Sequence, residues 1–400
     1  MALNSFSFVV IVLVGILGCR LWAPRLIREV VVLLLSLYFL STFIADWKQV
    51  VLLGSFMTIV FAIGLAKAAS PNSWPAAVTL IIVALFWLAL FEIKDPDFIT
   101  PLNPFHAHPI KLIGISYIVF RSITFVLEVA PGDRLNPLTF LNYILFFPTL
   151  LAGPIERYQR FDDTTAQPLA WQAVNYEALN RILDGFIKKF VIADNLMGFG
   201  IASMMSEGHD FSSPVLWIGA LSTLAILYLD FAGYCDIVIG VAALMGFKIV
   251  ENFNSPFASK NLQEFWGRWH MSLGSVIQDY VFSPLSKFVV IYAPRRVQTY
   301  GIAAIYVLAM VLVAMWHGTT IGFLIFGILQ GAVLFAIQIW REFARAKVKR
   351  SGVKHPAPPS PTGLWAGRVS TYAFVSLTMI WWQGSFSDAV RTYQKLAGWH

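Results

Sequence analysis

Long apolar runs dominate the chain. They fall at roughly 5–22, 29–45, 49–66, 76–92, 110–129, 137–152, 190–205, 214–229, 231–247, 299–316, 319–340 and 369–385. A helix rising about 1.5 Å per residue needs about 20 such residues to cross the hydrocarbon core of a bilayer. The pattern therefore predicts an all-α, polytopic integral membrane protein with about ten to twelve crossings, some of them re-entrant or interfacial. No period of about 20 to 50 residues repeats, which points to one membrane-embedded domain over residues 1–400.

Three stretches depart from this pattern. Within 156–190, Leu179, Ile182, Leu183, Phe186, Ile187 and Phe190 recur at helical spacing while Arg181, Lys188 and Lys189 lie off that stripe. That fits either an interfacial helix in the head-group plane or a helix packed on its neighbours. Residues 248–287 hold Lys248, Glu251, Lys260, Glu264, Arg268, His270, Asp279 and Lys287 between apolar neighbours. Here Asn261, three residues before Glu264, reads as a capping-box variant opening a helix. Phe265, Trp266, Trp269, Leu273, Val276, Ile277 and Tyr280 give that helix an apolar face, and Pro284 is expected to end it. The third stretch, about 342–366, is basic and carries Pro356, Pro358, Pro359 and Pro361. It reads as a cytoplasmic linker.

Composition supports the membrane reading: 58% of residues are hydrophobic and 13% charged, so several soluble domains are excluded. The net charge of +7 is spread over loops, which speaks for topology and anionic lipid rather than nucleic acid. Arg20, Arg25 and Arg28 follow the first run, and Arg341, Arg345, Lys347, Lys349, Arg350 and Lys354 follow another. Both groups are expected in the cytoplasm, with the N-terminus outside. Cys19 and Cys235 have neither disulfide-framework nor metal-ligand spacing. No basic residue precedes Cys19, so residues 5–22 read as a retained span rather than a cleaved leader.

The candidate chemistry gathers late in the chain. From Val297 to Trp340 there is no Asp, Glu, Lys or Arg, yet His317 stands in the middle. An ionisable group in such a run is costly and points to function. The plain alternative is a polar turn residue, because Gly318 and Thr319 mark a break between two spans. His270 taken alone fits a histidine hydrogen-bonded to a neighbouring carbonyl. His106-Ala107-His108 with Asp95 and Asp97 could hold a metal, although a polar loop explains them better. Gly318 with Gly322, and Gly327 with Gly331, read as helix-packing faces.

Taken together, these residues resemble the membrane-bound O-acyltransferase family. The signature is Trp266-Gly267-Arg268-Trp269-His270-Met271-Ser272-Leu273, Asp279-Tyr280 and Trp316-His317-Gly318. Gly114-Ile115-Ser116-Tyr117, Asp230-Phe231-Ala232-Gly233-Tyr234 with Asp236, and Glu251-Asn252-Phe253-Asn254 extend it, so the likeness covers about 110–335. Gly153-Pro154-Ile155-Glu156-Arg157-Tyr158 is more similar to the branch that exports D-alanine onto teichoic acids than to the branch that O-acetylates exopolysaccharides. The family pattern is broken at Gln278, where an Arg is common, at Gly274-Ser275-Val276, and at Gln330, where a His is frequent.

The resemblance implies helices around a central funnel, with His317 as the base of an O-acyl transfer and His270 as its catalytic partner. Asp236, Asn254, Arg268, Trp269, Asp279 and Trp316 are expected to line or brace the cavity. Burial is expected to keep the His317 imidazole neutral, the form that accepts a proton from a hydroxyl. The implied donor is a thioester on a cytoplasmic acyl carrier protein or acyl-CoA, and no cofactor is needed. The implied acceptor is a cell-surface glycopolymer, with an extracytoplasmic partner protein completing delivery. A channel or secondary transporter could also bury His, Asp and Arg, but it would show paired broken helices in two related halves, and no such symmetry is visible.

Overall fold

The computed structural model describes residues 1–400 apart from 1–2, 4, 22–23, 45, 76–77, 79–80, 83, 87–113, 167–175, 207–210, 352–359, 383–384 and 400. The span expected at 76–92 falls largely outside the described residues, and His106, His108, Asp95 and Asp97 fall wholly outside them. All regular structure among the described residues is helical. Four helices are long and apolar enough to cross a membrane: Trp47–Ala68, Ser213–Leu244, Arg295–His317 and Ile321–Lys349. The chain divides into two compact units, Met1–Ile187 with Gly233–Glu251, and Lys188–Ala232 with Asn252–His400.

The first unit contains α1 (Phe6–Leu21), α2 (Arg25–Ser41), α3 (Trp47–Ala68), α4 (Ile115–Glu128), α5 (Pro137–Leu145), α6 (Tyr158–Ala166) and α7 (Tyr176–Phe186), with the end of α9 (Ser213–Leu244). The last carbonyls of a helix have no partner within it, and in a lipid-like interior they must be satisfied by protein. Basic side chains do this repeatedly. Arg20 donates to Leu244 O at 2.8 Å, Lys67 to Val126 O at 2.7 Å, and Arg28 to Thr165 O at 3.0 Å. The fully buried Arg121 donates to Tyr143 O and Ile144 O, both at 3.0 Å. Each cation sits at a helix C-terminus, where the helix dipole also favours it.

Helix α7 has one face packed on its neighbour and another exposed. Gly185 lies so close to α9 that a Cβ there would come within 2.6 Å of Gly233 O, so this face packs. Leu183 on the other face is 60% exposed and Ile187 49%, an apolar surface available to lipid.

The second unit takes α8 (Ile201–Ser206) and the start of α9 and adds α10 (Leu262–Trp266), α11 (Met271–Ile277), α12 (Ser283–Tyr292), α13 (Arg295–His317), α14 (Ile321–Ser351), α15 (Pro361–Thr378) and α16 (Phe386–Leu396). Helices α13 and α14 form an antiparallel hairpin. A Cβ on Gly327 would stand 2.8 Å from Val311 Cα, and one on Gly331 would stand 2.5 Å from Val307 Cα. The two glycines thus permit backbone-to-backbone packing, as their spacing predicts.

The structure redraws three boundaries. Spans expected at 214–229 and 231–247 are one continuous helix, α9. Asp230 between them does not break it, because within the second unit it pairs with Lys189. Pro284 does not end a helix either. A π-helical segment, Gln278–Phe282, precedes it and runs straight into α12 with Pro284 in the first turn, where a missing N–H costs least. The expected linker is shorter than 342–366: α14 runs to Ser351 and α15 begins at Pro361. Residues 341–349 are mostly good helix formers, and Glu342 pairs with Arg345 at 2.6 Å.

Candidate active site

Backbone pairing joins two sequence motifs in the second unit. The N–H of Met271 donates to Asn252 O at 2.8 Å, and the N–H of Asn254 donates to Arg268 O at 3.0 Å. The short helix α10 is opened as its sequence predicts. Asn261 Oδ1 accepts from the N–H of Glu264 at 2.9 Å, and Glu264 accepts from the N–H of Lys260 at 2.9 Å. Gly267 caps α10, and four residues later α11 begins. The residue immediately before α11 is His270, held in the left-handed region at φ 45° and ψ 51°. A residue with a Cβ pays about 1–3 kcal/mol for such a conformation, and strain of this kind concentrates at functional sites.

His270 is buried. Its Nδ1 lies 3.0 Å from Asn252 Oδ1, which also receives Ser272 Oγ at 2.8 Å and the Ser272 N–H at 3.3 Å. Its Nε2 is buried with no hydrogen-bond partner among the described residues. The residue lies outside the four spanning helices. Burial, with a smaller contribution from His317, pushes its pKa down to about 3. The ring is neutral at any physiological pH.

His317 is the last residue of α13, and Gly318 ends the helix in extended backbone, the break that the sequence marks. Its ring stands 4.7 Å from Trp316 and 4.7 Å from Trp382, and His270 reaches the same aromatic arc through Trp316 at 6.0 Å and Phe231 at 4.9 Å. His270 and His317 line one cavity of about 160 Å³ with Phe231, Trp266, Trp269 and Trp382. Contrary to expectation, His317 is exposed and the buried imidazole is His270. The end of α13 opens His317 to its surroundings, whereas Asn252 and α11 enclose His270.

A second cavity, of about 460 Å³, lies against the first and shares Trp266, Trp269, His270, Leu273 and Val313 with it. Its far wall carries Tyr306 and Gln263, and Gln263 donates to the Tyr306 hydroxyl at 2.9 Å and accepts from Arg341. His270 thus belongs to a partition with a chamber on each side. Gln330, fully buried, braces that partition: it accepts from Trp266 Nε1 at 3.1 Å and donates to Thr378 at 2.7 Å.

Of the residues expected at the cavity, His270, His317, Trp269 and Trp316 come together. The others do not. Asp236 belongs to the first unit and pairs with Arg181 at 3.0 Å, which also binds Glu251. Arg268 pairs with Glu264 at 2.7 Å, Asn254 is exposed, and Asp279 is exposed on the π-helical segment. The charge of Arg268 is satisfied by that ion pair. Asn252, Phe231 and Trp382 are at the site without having been singled out. Asn252 had a signal, its place in Glu251-Asn252-Phe253-Asn254, but nothing local separates it from Asn254. No group of three or more metal-ligating side chains occurs among the described residues.

The model of the membrane-bound O-acyltransferase family matches residues 32–360. The chain belongs to the membrane-bound O-acyltransferase family. This acyltransferase is 31% identical over 353 residues to the probable alginate O-acetylase AlgI of Azotobacter vinelandii, covering 84% of the chain and 68% of that protein. It is 32% identical over 301 residues to the teichoic acid D-alanyltransferase of Streptococcus thermophilus, covering 70% of each. It is also 30% identical over 275 residues to the peptidoglycan O-acetyltransferase of Helicobacter pylori, covering 60% of the chain and 50% of that protein.

Proposed function

We propose that the protein carries an acyl group from a cytoplasmic thioester, through the bacterial cytoplasmic membrane, to a hydroxyl of a cell-surface glycopolymer. The observation that carries this reading is the pair of histidines on one cavity, with a second and larger cavity behind His270. The cavities are stacked along α13: His317 is at its end, and Tyr306 lies eleven residues back, about 16 Å. The basic ends of the hairpin, Arg295 and Arg345–Lys349, mark the cytoplasmic side by the positive-inside bias. The larger cavity then admits the donor arm, and the smaller one meets the acceptor.

In this reading His317 takes the proton of the acceptor hydroxyl as its oxygen attacks the thioester carbonyl. The tetrahedral adduct collapses with cleavage of the C–S bond, and the proton passes from the imidazolium to the departing thiolate. His270 stays neutral and offers a lone pair to the substrate.

The donor group we favour is D-alanyl on a small carrier protein, with an extracytoplasmic protein completing delivery to teichoic acid. The Gly153–Tyr158 motif supports this. Acetyl transfer to an exopolysaccharide is the second reading, favoured by the longer match to the alginate O-acetylase. Membranes given labelled D-alanyl carrier protein or acetyl-CoA separate the two, with label followed into surface polymer. His317→Ala is expected to reduce transfer by about 10²- to 10⁴-fold at unchanged membrane insertion. Undiminished transfer removes the assignment, and use of acetyl-CoA alone reverses the choice of donor.

A further inference from the structure

We propose that Asn252 is a positioning residue that fixes the tautomer of His270, so that the bare Nε2 lone pair faces the partition between the cavities as a permanent hydrogen-bond acceptor. The proposal rests on the transfer reaction proposed above for its consequence, although the tautomer itself is a property of the resting protein.

The proton assignment follows from donor and acceptor roles. The amide atom of Asn252 that faces His270 also receives a backbone N–H, that of Ser272. A backbone N–H can only donate, so that atom is the carbonyl oxygen. An oxygen can only accept, so His270 Nδ1 must carry the hydrogen in its 3.0 Å contact. A neutral imidazole has one N–H, which leaves Nε2 without a proton. That nitrogen is buried without a partner among the described residues, in a wall common to two cavities. A buried acceptor left without a donor is costly. A substrate N–H or O–H would supply the missing donor.

The backbone keeps the ring in place. Asn252 O takes the N–H of Met271, the residue after His270, so the same asparagine holds His270 by main chain and by side chain. The groups that face the ring from other elements are Phe231 of α9 and Trp316 of α13, both uncharged, and His317, which acts on it electrostatically. The other tautomer would put an N–H where the substrate's hydrogen must go.

The test uses the full chain in lipid nanodiscs with 15N-labelled histidine, the His270 signals being assigned by their loss in His270→Gln. Wild type is expected to show a protonated Nδ1 and an unprotonated Nε2 without substrate. Asn252→Ala is expected to mix the tautomers and lower kcat about a hundredfold with little change in KM. Asn252→Asp keeps the acceptor and is expected to hold the wild-type tautomer and restore much of kcat. Its new carboxylate favours the imidazolium, so the acidic limb of its pH profile moves to higher pH. A wild-type ring protonated on Nε2 overturns the proposal. So does a tautomer unchanged in Asn252→Ala, or an Asn252→Asp enzyme no more active than Asn252→Ala with an unshifted profile. If Asn252→Ala does not fold, the wild-type and Asn252→Asp spectra decide. The tautomer is read without donor or acceptor, so a mistaken choice of substrate leaves this result standing.

Discussion

At the scale of single residues, the two histidines differ in environment. His270 is enclosed and neutral; His317 is exposed at a helix end beside Trp316 and Trp382. His317 was legible in the sequence because a polar residue in 44 otherwise uncharged positions has few structural reasons to be there. Asn252 was not, since its role depends on a turn that brings Ser272 and His270 back onto one oxygen. Asp236, which the resemblance brought in, pairs within the first unit with Arg181. The buried ring makes stability depend on pH. The unfolded imidazole binds a proton near pH 6.5, while the folded one does so only near pH 3. Between those values the unfolded state holds more protons, so stability falls as pH falls. Relative to His270→Gln, which lacks the titration, wild type is expected to lose up to about 1.4 kcal/mol per pH unit below pH 6.5. Thermal unfolding in detergent from pH 7 to pH 4 reads this, and parallel curves for the two proteins would contradict a neutral buried ring.

At the scale of elements, the site depends on how closely two backbones approach. The α13–α14 hairpin places His317 at the turn and the cavity walls, Met310, Val313, Phe326 and Leu334, along its length. Gly331 is where the helices are closest, and its obstacle is the Cα of Val307, which cannot swing aside. Gly331→Leu is expected to force the pair apart, lower the melting temperature by several degrees, and reduce transfer by displacing His317. Gly54→Ala in α3 is the contrasting case. A Cβ there meets nothing within 4 Å, and alanine is favoured over glycine in a helix by about 1 kcal/mol, so stability should hold or rise. Equal melting temperatures for Gly331→Leu and wild type would mean that the hairpin does not pack as described. The small-xxx-small spacing made this face readable from sequence, whereas helix ends were harder. The capping at Asn261 was readable because it is local, while the fusion of two expected spans into α9 turned on Lys189, 41 residues from its partner Asp230.

At the scale of the whole molecule, transfer across a membrane requires that the two ends of the hairpin meet different compartments. Arg295 and Arg296 open α13, Arg345, Lys347 and Lys349 lie near the end of α14, and the antiparallel packing brings these ends to one side. Thr319, two residues beyond His317, lies in the turn at the other side. The positive-inside bias then predicts that the turn and the smaller cavity face outward. Cysteine substitutions at Thr319 and Lys349 test this with a membrane-impermeant thiol reagent on intact cells. The native Cys19 and Cys235 are both buried, so they give little background. Thr319→Cys is expected to label from outside, and Lys349→Cys only after the membrane is opened. The reverse pattern would put His317 on the donor side, leave the larger cavity facing the polymer, and invert the direction in which the acyl group crosses.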